Sequence, residues 1–273
     1  MSASTGMEPG RIARAFAAAR RQGRCALIPY VTAGDPDLAR TRSIARALAL
    51  AGADLLEIGV PFSDPIADGP VNQRAAERAL RKGVTLRSCL DLAAHLRADG
   101  GPPVVLFTYY NPIHRMGLEP FARAAGASGV DGVLVTDLPP EEAGDLRGAL
   151  RASGVDLIFL LSPVSSGERV ALVCREASGF IYFISRTGVT GAHEDVPEGL
   201  AAQVRAARQT SGLPVAVGFG ISQPGQAAAI AAFADGIVVG SALVRLIEEG
   251  AGSPDLEMRI EKFCRALQAP LGN

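Results

Sequence analysis

The chain has 273 residues, 48% of them hydrophobic and 20% charged, a balance that supports a sizeable buried core and excludes a disordered chain. The formal net charge is -1 and no basic stripe occurs, which argues against nucleic acid and anionic membrane as main partners. No apolar run reaches the roughly 18 residues of a membrane span, and Met1 to Gly10 lacks the hydrophobic segment of a signal peptide, so the chain reads as cytoplasmic.

Hydrophobic periodicity predicts an alternation of strand and helix. A first helix is expected over Pro9 to Gln22, then a strand Ala26 to Val31 and a turn at Gly34-Asp35-Pro36. A helix follows over Leu38 to Leu50, with Ile44, Ala47, Leu48 and Ala51 at helical spacing. The second strand, Ala53 to Val60, is interrupted by a charge at Glu57. Helical stretches cover Val71 to Leu80 and Leu86 to Leu96, and the third strand is Val104 to Tyr109. A short helix over Glu119 to Ala125 leads to a fourth strand, Gly132 to Thr136. Pro139-Pro140-Glu141-Glu142 reads as a helix start, since proline suits the first turn and acids suit the N-terminal end. Strand five is Leu157 to Leu161, then a helix Glu168 to Glu176 and strand six, Phe180 to Ile184. A polar, glycine-containing loop over Arg186 to Pro197 is a candidate lid and precedes a helix Glu198 to Arg208. Strand seven is Pro214 to Gly218, followed by a helix Pro224 to Phe233, strand eight over Gly236 to Val239, and helices over Ala242 to Glu248 and Leu256 to Leu267. This order predicts an α/β fold, a (β/α)8 barrel in one domain over 1–273 with an extra helix at each end; a doubly wound sheet is the runner-up.

In such barrels the chemistry sits at the C-terminal ends of the strands. Residues there include Tyr30 after strand one, Glu57, Asp64 and Asp68 around the end of strand two, Tyr109 after three, Asp137 after four and Tyr182 in six. Strand alternation puts Leu55, Glu57 and Gly59 on one face. A carboxylate among apolar neighbours has a raised pKa and suits proton transfer near neutrality. The competing reading of Glu57 is a structural carboxylate paired with arginine, that of Asp68 a turn-capping side chain. Asp64 reads as a turn residue, and Asp137 either as a cap for the helix after Pro139 or as a partner of neighbouring loops. Glycines cluster after strands six, seven and eight, in Arg186 to Gly191, Gly218 to Ser222 and Val239 to Ala242. Glycine lets backbone N–H groups approach an oxyanion closely, and a helix beginning at Ser241 adds its positive end, so phosphate binding is expected there.

Other chemistries lose ground. The only lysines, Lys82 and Lys262, lie away from strand ends, so a Schiff-base mechanism has no nucleophile. His95, His114 and His193 are scattered and form no metal-ligand spacing, and Cys25, Cys89, Cys174 and Cys264 form no CxxC pair and read as small buried hydrophobes. His193 is expected to be solvated. Acid–base catalysis by carboxylates on a phosphorylated small molecule remains.

The 15-residue run Leu56-Glu57-Ile58-Gly59-Val60-Pro61-Phe62-Ser63-Asp64-Pro65-Ile66-Ala67-Asp68-Gly69-Pro70 resembles the signature of the tryptophan synthase α subunit family. The resemblance extends to Ile28 to Pro36, Ser185 to Gly191 and Gly218 to Ser222, and covers Arg11 to Glu249. It implies a lyase that cleaves indole-3-glycerol phosphate to indole and glyceraldehyde 3-phosphate. By that resemblance Glu57 is the general acid/base, and Asp68 accepts the indole N–H. Tyr182 stands near the glutamate, and Tyr30, Tyr109 and Phe219 belong to the substrate pocket. Phosphate contacts fall on Gly191, Gly220, Gly240 and Ser241, while Thr190 and Asp137 support the site. The resemblance also implies an αββα complex, with pyridoxal phosphate held by the β subunit, none in this chain, and β-facing loops around Pro61 and Pro139. Two alternatives are a stand-alone indole-releasing lyase and a catalytically silent allosteric partner of β. Tyr30 and Thr136 depart from the family pattern, in which phenylalanine and alanine are frequent, and residues 1–10 fall outside it and are expected to be disordered.

Overall fold

Eight short parallel strands close on themselves in the computed structural model, which describes residues 9–184, 198–218 and 220–272. The strands are β1 (Ala26–Thr32), β2 (Leu56–Gly59), β3 (Val104–Thr108), β4 (Gly132–Val135), β5 (Asp156–Leu161), β6 (Ile181–Ile184), β7 (Val215–Gly218) and β8 (Gly236–Val239). Each pairs in parallel with its sequence neighbours, and β8 closes on β1 through Ala26↔Gly236 to Pro29↔Val239. Among the described residues, the helices are α1 (Arg11–Arg21), α2 (Leu38–Leu50), α3 (Pro70–Arg81), α4 (Leu86–Ala98), α5 (Tyr110–Met116), α6 (Leu118–Ala127), α7 (Gly144–Ala152), α8 (Gly167–Glu176), α9 (Leu200–Ser211), α10 (Pro224–Ala231), α11 (Ser241–Gly250) and α12 (Leu256–Gln268). The architecture is the (β/α)8 barrel expected, with α1 and α12 as the additional helices.

The two faces of each strand feed two separate cores. Outward residues such as Leu27, Ile58, Leu106, Val133, Phe159, Val217 and Ile237 pack under the helices. Inward residues Ala26, Ile28, Leu55, Val105, Leu134, Ile158, Phe180, Ala216 and Val238 fill the barrel, and Ile12, Phe16 and Ala19 of α1 plug its floor. Burial on both faces explains why the strands read as continuous apolar runs rather than alternating ones.

The barrel floor is pinned by side chains that precede every second strand. Asp54, Asp131 and Asp235 each accept a backbone N–H at the start of the preceding strand, from Leu27, Val104 and Val215 at 2.9 Å, and the Ser178 hydroxyl does the same for Leu157 at 2.9 Å. The aspartates are neutralised by arginine: Arg24 on Asp54, Arg11 and Arg97 on Asp131, Arg20 and Arg208 on Asp235. These pairs account for much of the arginine content at that end. On the opposite rim the buried Asp35 receives both arms of the Arg78 guanidinium at 2.8 Å, and Arg78 also reaches Glu248 at 2.6 Å, tying the loop after β1 to α3 and α11.

Three local expectations need correction. No helix starts at Pro139: the carbonyls of Pro139 and Pro140 accept from Glu142 and Ala143 in a turn, Glu141 swings out to pair with Arg169 of α8 at 2.6 Å, and α7 begins at Gly144. The chain after β3 does not continue as strand to Tyr109, because Tyr109 already caps α5, a helix the periodicity did not reveal. The helix placed from Glu198 begins at Leu200, since Gly199 sits at φ +80° and cannot belong to a right-handed helix. The loop Arg186 to Pro197, with His193, lies outside the described residues, as do residues 1–8.

Candidate active site

Glu57 lies on β2 one layer above Leu55, on the inward face, with Tyr30 of β1 and Val105 of β3 as register partners. It is only 1% exposed. Among the described residues no arginine, lysine or histidine pairs with it, and its Oε1 has no hydrogen-bond partner. The described residues thus give no support to the reading of Glu57 as an arginine-paired structural carboxylate. Burial, with the nearby negative charge of Asp68 second, pushes its pKa from 4.5 to about 8. The side chain is a neutral acid at pH 7 that stays close enough to its titration to give up and recover a proton.

Asp68 sits in the loop between β2 and α3. Its Oδ2 accepts the Tyr109 hydroxyl at 2.9 Å, and that hydroxyl accepts the Ala67 backbone N–H at 3.0 Å. Burial raises the Asp68 pKa, and hydrogen bonds from Tyr109 and Asn72 oppose that rise by favouring the charged form. The two carboxyl groups thus differ in kind. One is buried, with an oxygen that has no partner among the described residues; the other is held by donors.

Two tyrosines flank Glu57. Burial first, then the surrounding charges of Asp68 for Tyr30 and Glu57 for Tyr182, hold both phenols well above their ordinary pKa, so both are neutral hydroxyls. Tyr30 lies edge-on to Phe107 at 5.6 Å. The rings fit because the strand ends beside them are glycines. A Cβ on Gly59 would fall 2.1 Å from the Tyr30 hydroxyl oxygen, and one on Gly218 would fall 2.7 Å from that of Tyr182. Gly59→Ala is therefore expected to displace Tyr30 and destabilise the fold by about 1–3 kcal/mol, measured by urea unfolding. A variant as stable as the parent would mean that the ring moves freely.

The remaining expected positions are less gathered. Gly240 precedes α11, and Ser241 is its exposed first residue, at an N-terminus that has no side-chain cap. Gly220 adopts φ +66°, a conformation glycine permits, in the exposed loop after β7. Thr190, Gly191 and Phe219 lie outside the described residues. Asp64 is exposed in a turn and accepts the Ser63 hydroxyl at 2.6 Å. Asp137 is exposed, and its Oδ1 accepts the Tyr110 backbone N–H at 2.7 Å, so it caps α5 rather than a helix after Pro139. Thr136 donates its hydroxyl to the Thr108 carbonyl at 3.3 Å.

Asn72 was not foreseen. Its only signal in the sequence is its place four residues after Asp68, which becomes meaningful once α3 is known to start at Pro70. Its Oδ1 is buried without a partner among the described residues. Among the described residues no cluster of three metal-ligating side chains occurs, and the four cysteines are free and buried. A cavity of about 270 Å³ at the barrel floor is lined by Arg20, Arg24, Arg208 and Asp235, far along the strands from Glu57, and its charges already serve the strand starts.

Comparison with known proteins narrows what this rim does. The sequence model described as "Tryptophan synthase alpha chain" matches residues 16–270. The tryptophan synthase alpha chain of Citrifermentans bemidjiense is 53% identical over 258 residues, covering 94% of this chain and 96% of the relative. That of Geobacter sulfurreducens is 49% identical over 263 residues, covering 96% and 99%. Among solved structures, the tryptophan synthase subunit alpha of Legionella pneumophila aligns with a TM-score of 0.89 at 37% identity, covering 97% of this chain and 99% of that one. A chain of Mycobacterium tuberculosis tryptophan synthase aligns with a TM-score of 0.90 at 38% identity, covering 97% and 100%. Such identity across nearly the whole of both partners, on the same closed barrel, leaves one assignment: the chain belongs to the tryptophan synthase alpha chain family.

Proposed function

We propose that Glu57 and Asp68 carry, in this chain, the reaction of its family, the lyase cleavage of indole-3-glycerol phosphate to indole and glyceraldehyde 3-phosphate. The observation that supports these roles most is the contrast between the two carboxyl groups: Glu57 buried, with its Oε1 unpartnered among the described residues and a pKa of about 8, Asp68 held by the Tyr109 hydroxyl at 2.9 Å. A protonated Glu57 delivers its proton to the indole C3. The ring nitrogen then carries positive charge, which the Asp68 carboxylate offsets while accepting the N–H. The Glu57 carboxylate next takes the proton of the glyceryl hydroxyl beside the ring. The oxygen lone pair forms the aldehyde C=O, the bond to C3 breaks, and its electrons restore the neutral indole. Glu57 ends the cycle protonated, as it began.

Gly220, Gly240 and Ser241, with Gly191, form the phosphate end of the pocket in this reading. Its support is the uncapped N-terminus of α11, whose amides and positive end favour an anion. Tyr30, Tyr182 and Phe219 line the indole end. The whole chain acts as one barrel domain; the candidate lid Arg186 to Pro197, with Thr190, lies outside the described residues.

Alpha chain relatives imply a β-subunit partner. We assign this chain to an αββα assembly in the cytoplasm, with pyridoxal phosphate in β and none in the α barrel. The loops at Pro61 and Pro139 form the docking face; Ile66, an apolar residue 86% exposed between them in sequence, supports that reading. No helix among the described residues is long and apolar enough to cross a membrane. Indole release from indole-3-glycerol phosphate, assayed with and without β, tests the proposal. Slow release alone and strong stimulation by β are expected. Full activity alone would instead identify a stand-alone lyase, and no indole in either arm would leave only the silent allosteric partner.

A further inference from the structure

We propose that Tyr109 is a positioning residue that fixes the Asp68 carboxylate and anchors the loop bearing it, rather than a residue of the substrate pocket. Three contacts converge on its side chain. Its hydroxyl donates to Asp68 Oδ2 at 2.9 Å, the hydroxyl oxygen accepts the Ala67 N–H at 3.0 Å, and its ring stacks on Phe62 at 5.0 Å. One phenol thus holds both ends of the segment Phe62 to Asp68, and with its single proton given to Asp68 it has none to donate to a ligand. The backbone under the ring is itself fixed. Tyr109 directly follows β3 and caps α5, whose first amide, that of Tyr110, is held by Asp137. The Asn72 side chain on α3 also favours the charged form of the carboxylate.

The ionisable groups facing Asp68 are Glu57 from β2, Tyr30 from β1, Tyr109 itself and Tyr182 from β6, all of them sensing its charge. Of these, only Tyr109 forms a hydrogen bond with it among the described residues. Removing that bond raises the pKa of Asp68, so the ionised form is lost at higher pH than in the parent.

The test is Tyr109→Phe, which keeps the stacking ring and deletes the hydroxyl. The kinetic readout rests on the lyase reading: kcat is expected to fall about tenfold to a hundredfold, with KM within about threefold, and the acid limb of the kcat profile to move to higher pH. A second readout needs no turnover. Carboxyl 13C NMR titration in the Glu57→Gln background, with Asp68→Asn as the assignment control, is expected to place the Asp68 titration higher in Tyr109→Phe. Phe62→Leu loosens the same ring without deleting a hydrogen bond, and a smaller shift in the same direction is expected. An unchanged Asp68 titration in both variants, or a loss confined to KM, overturns the proposal. A parent chain that releases no indole but shows the titration shift would overturn the lyase roles and leave the positioning role standing.

Discussion

Glu57→Gln is expected to lower kcat for indole release by about a thousandfold or more, at the upper end of what one general acid–base group contributes. The glutamine is isosteric and neutral, as the buried acid is at pH 7, so the fold and the KM for indole-3-glycerol phosphate are expected to survive. Near-parental turnover would remove Glu57 from the chemistry. The same variant has a stability signature with a definite sign. The folded-state pKa of about 8 lies above the ordinary 4.5, so between those values the folded chain holds a proton that the unfolded chain has lost. Stability therefore falls as pH rises through this window, by an amount on the order of several kcal/mol at its alkaline end. The glutamine cannot ionise and escapes that fall. Denaturant unfolding of parent and variant at pH 5 and pH 9 is expected to show the difference moving in favour of Glu57→Gln as pH rises. A pH-independent difference would mean that Glu57 is solvated in the folded chain.

Asp68→Asn is expected to lower kcat by about a hundredfold to a thousandfold, the effect of removing a fixed charge aimed at a developing opposite one. KM is expected to change little. The variant also alters Glu57. The Asp68 charge is one of the two causes raising the Glu57 pKa, so its removal lowers that pKa, while burial keeps it above the ordinary value. The protonated acid is then lost at lower pH, and the basic limb of the kcat profile moves down. A pH–rate comparison of the residual activity checks this. A side chain that served only as a turn cap would give a small loss and an unmoved limb.

Much of this rim was legible in one strand. Leu55, Glu57 and Gly59 share a face because side chains alternate along a strand, and the structure places Leu55 in the barrel interior with Glu57 directly above it. The apolar runs and the turn glycines likewise announced eight strands, since strands covered on both faces must be apolar throughout. The misreadings have a common cause. Pro139 to Glu142 carries a locally sound helix start, yet the turn there is set by Glu141 reaching Arg169 on another helix. Helix α5 went unseen because its cap, Asp137, arrives from the loop of the next strand.

The chain's periodicity was enough for the barrel and for a shared strand face holding Leu55, Glu57 and Gly59. These follow from periodicity and from the free energy of burying apolar side chains, which short stretches of chain encode. It took the folded chain to show that the inward-facing Glu57 has no cationic partner among the described residues, that Asp68 is bound by the Tyr109 hydroxyl 41 residues away, and that Asn72 belongs to the same group. Dielectric environment and hydrogen-bond partnership are properties of what surrounds an atom in space. In a closed barrel those surroundings come from strands far apart along the chain.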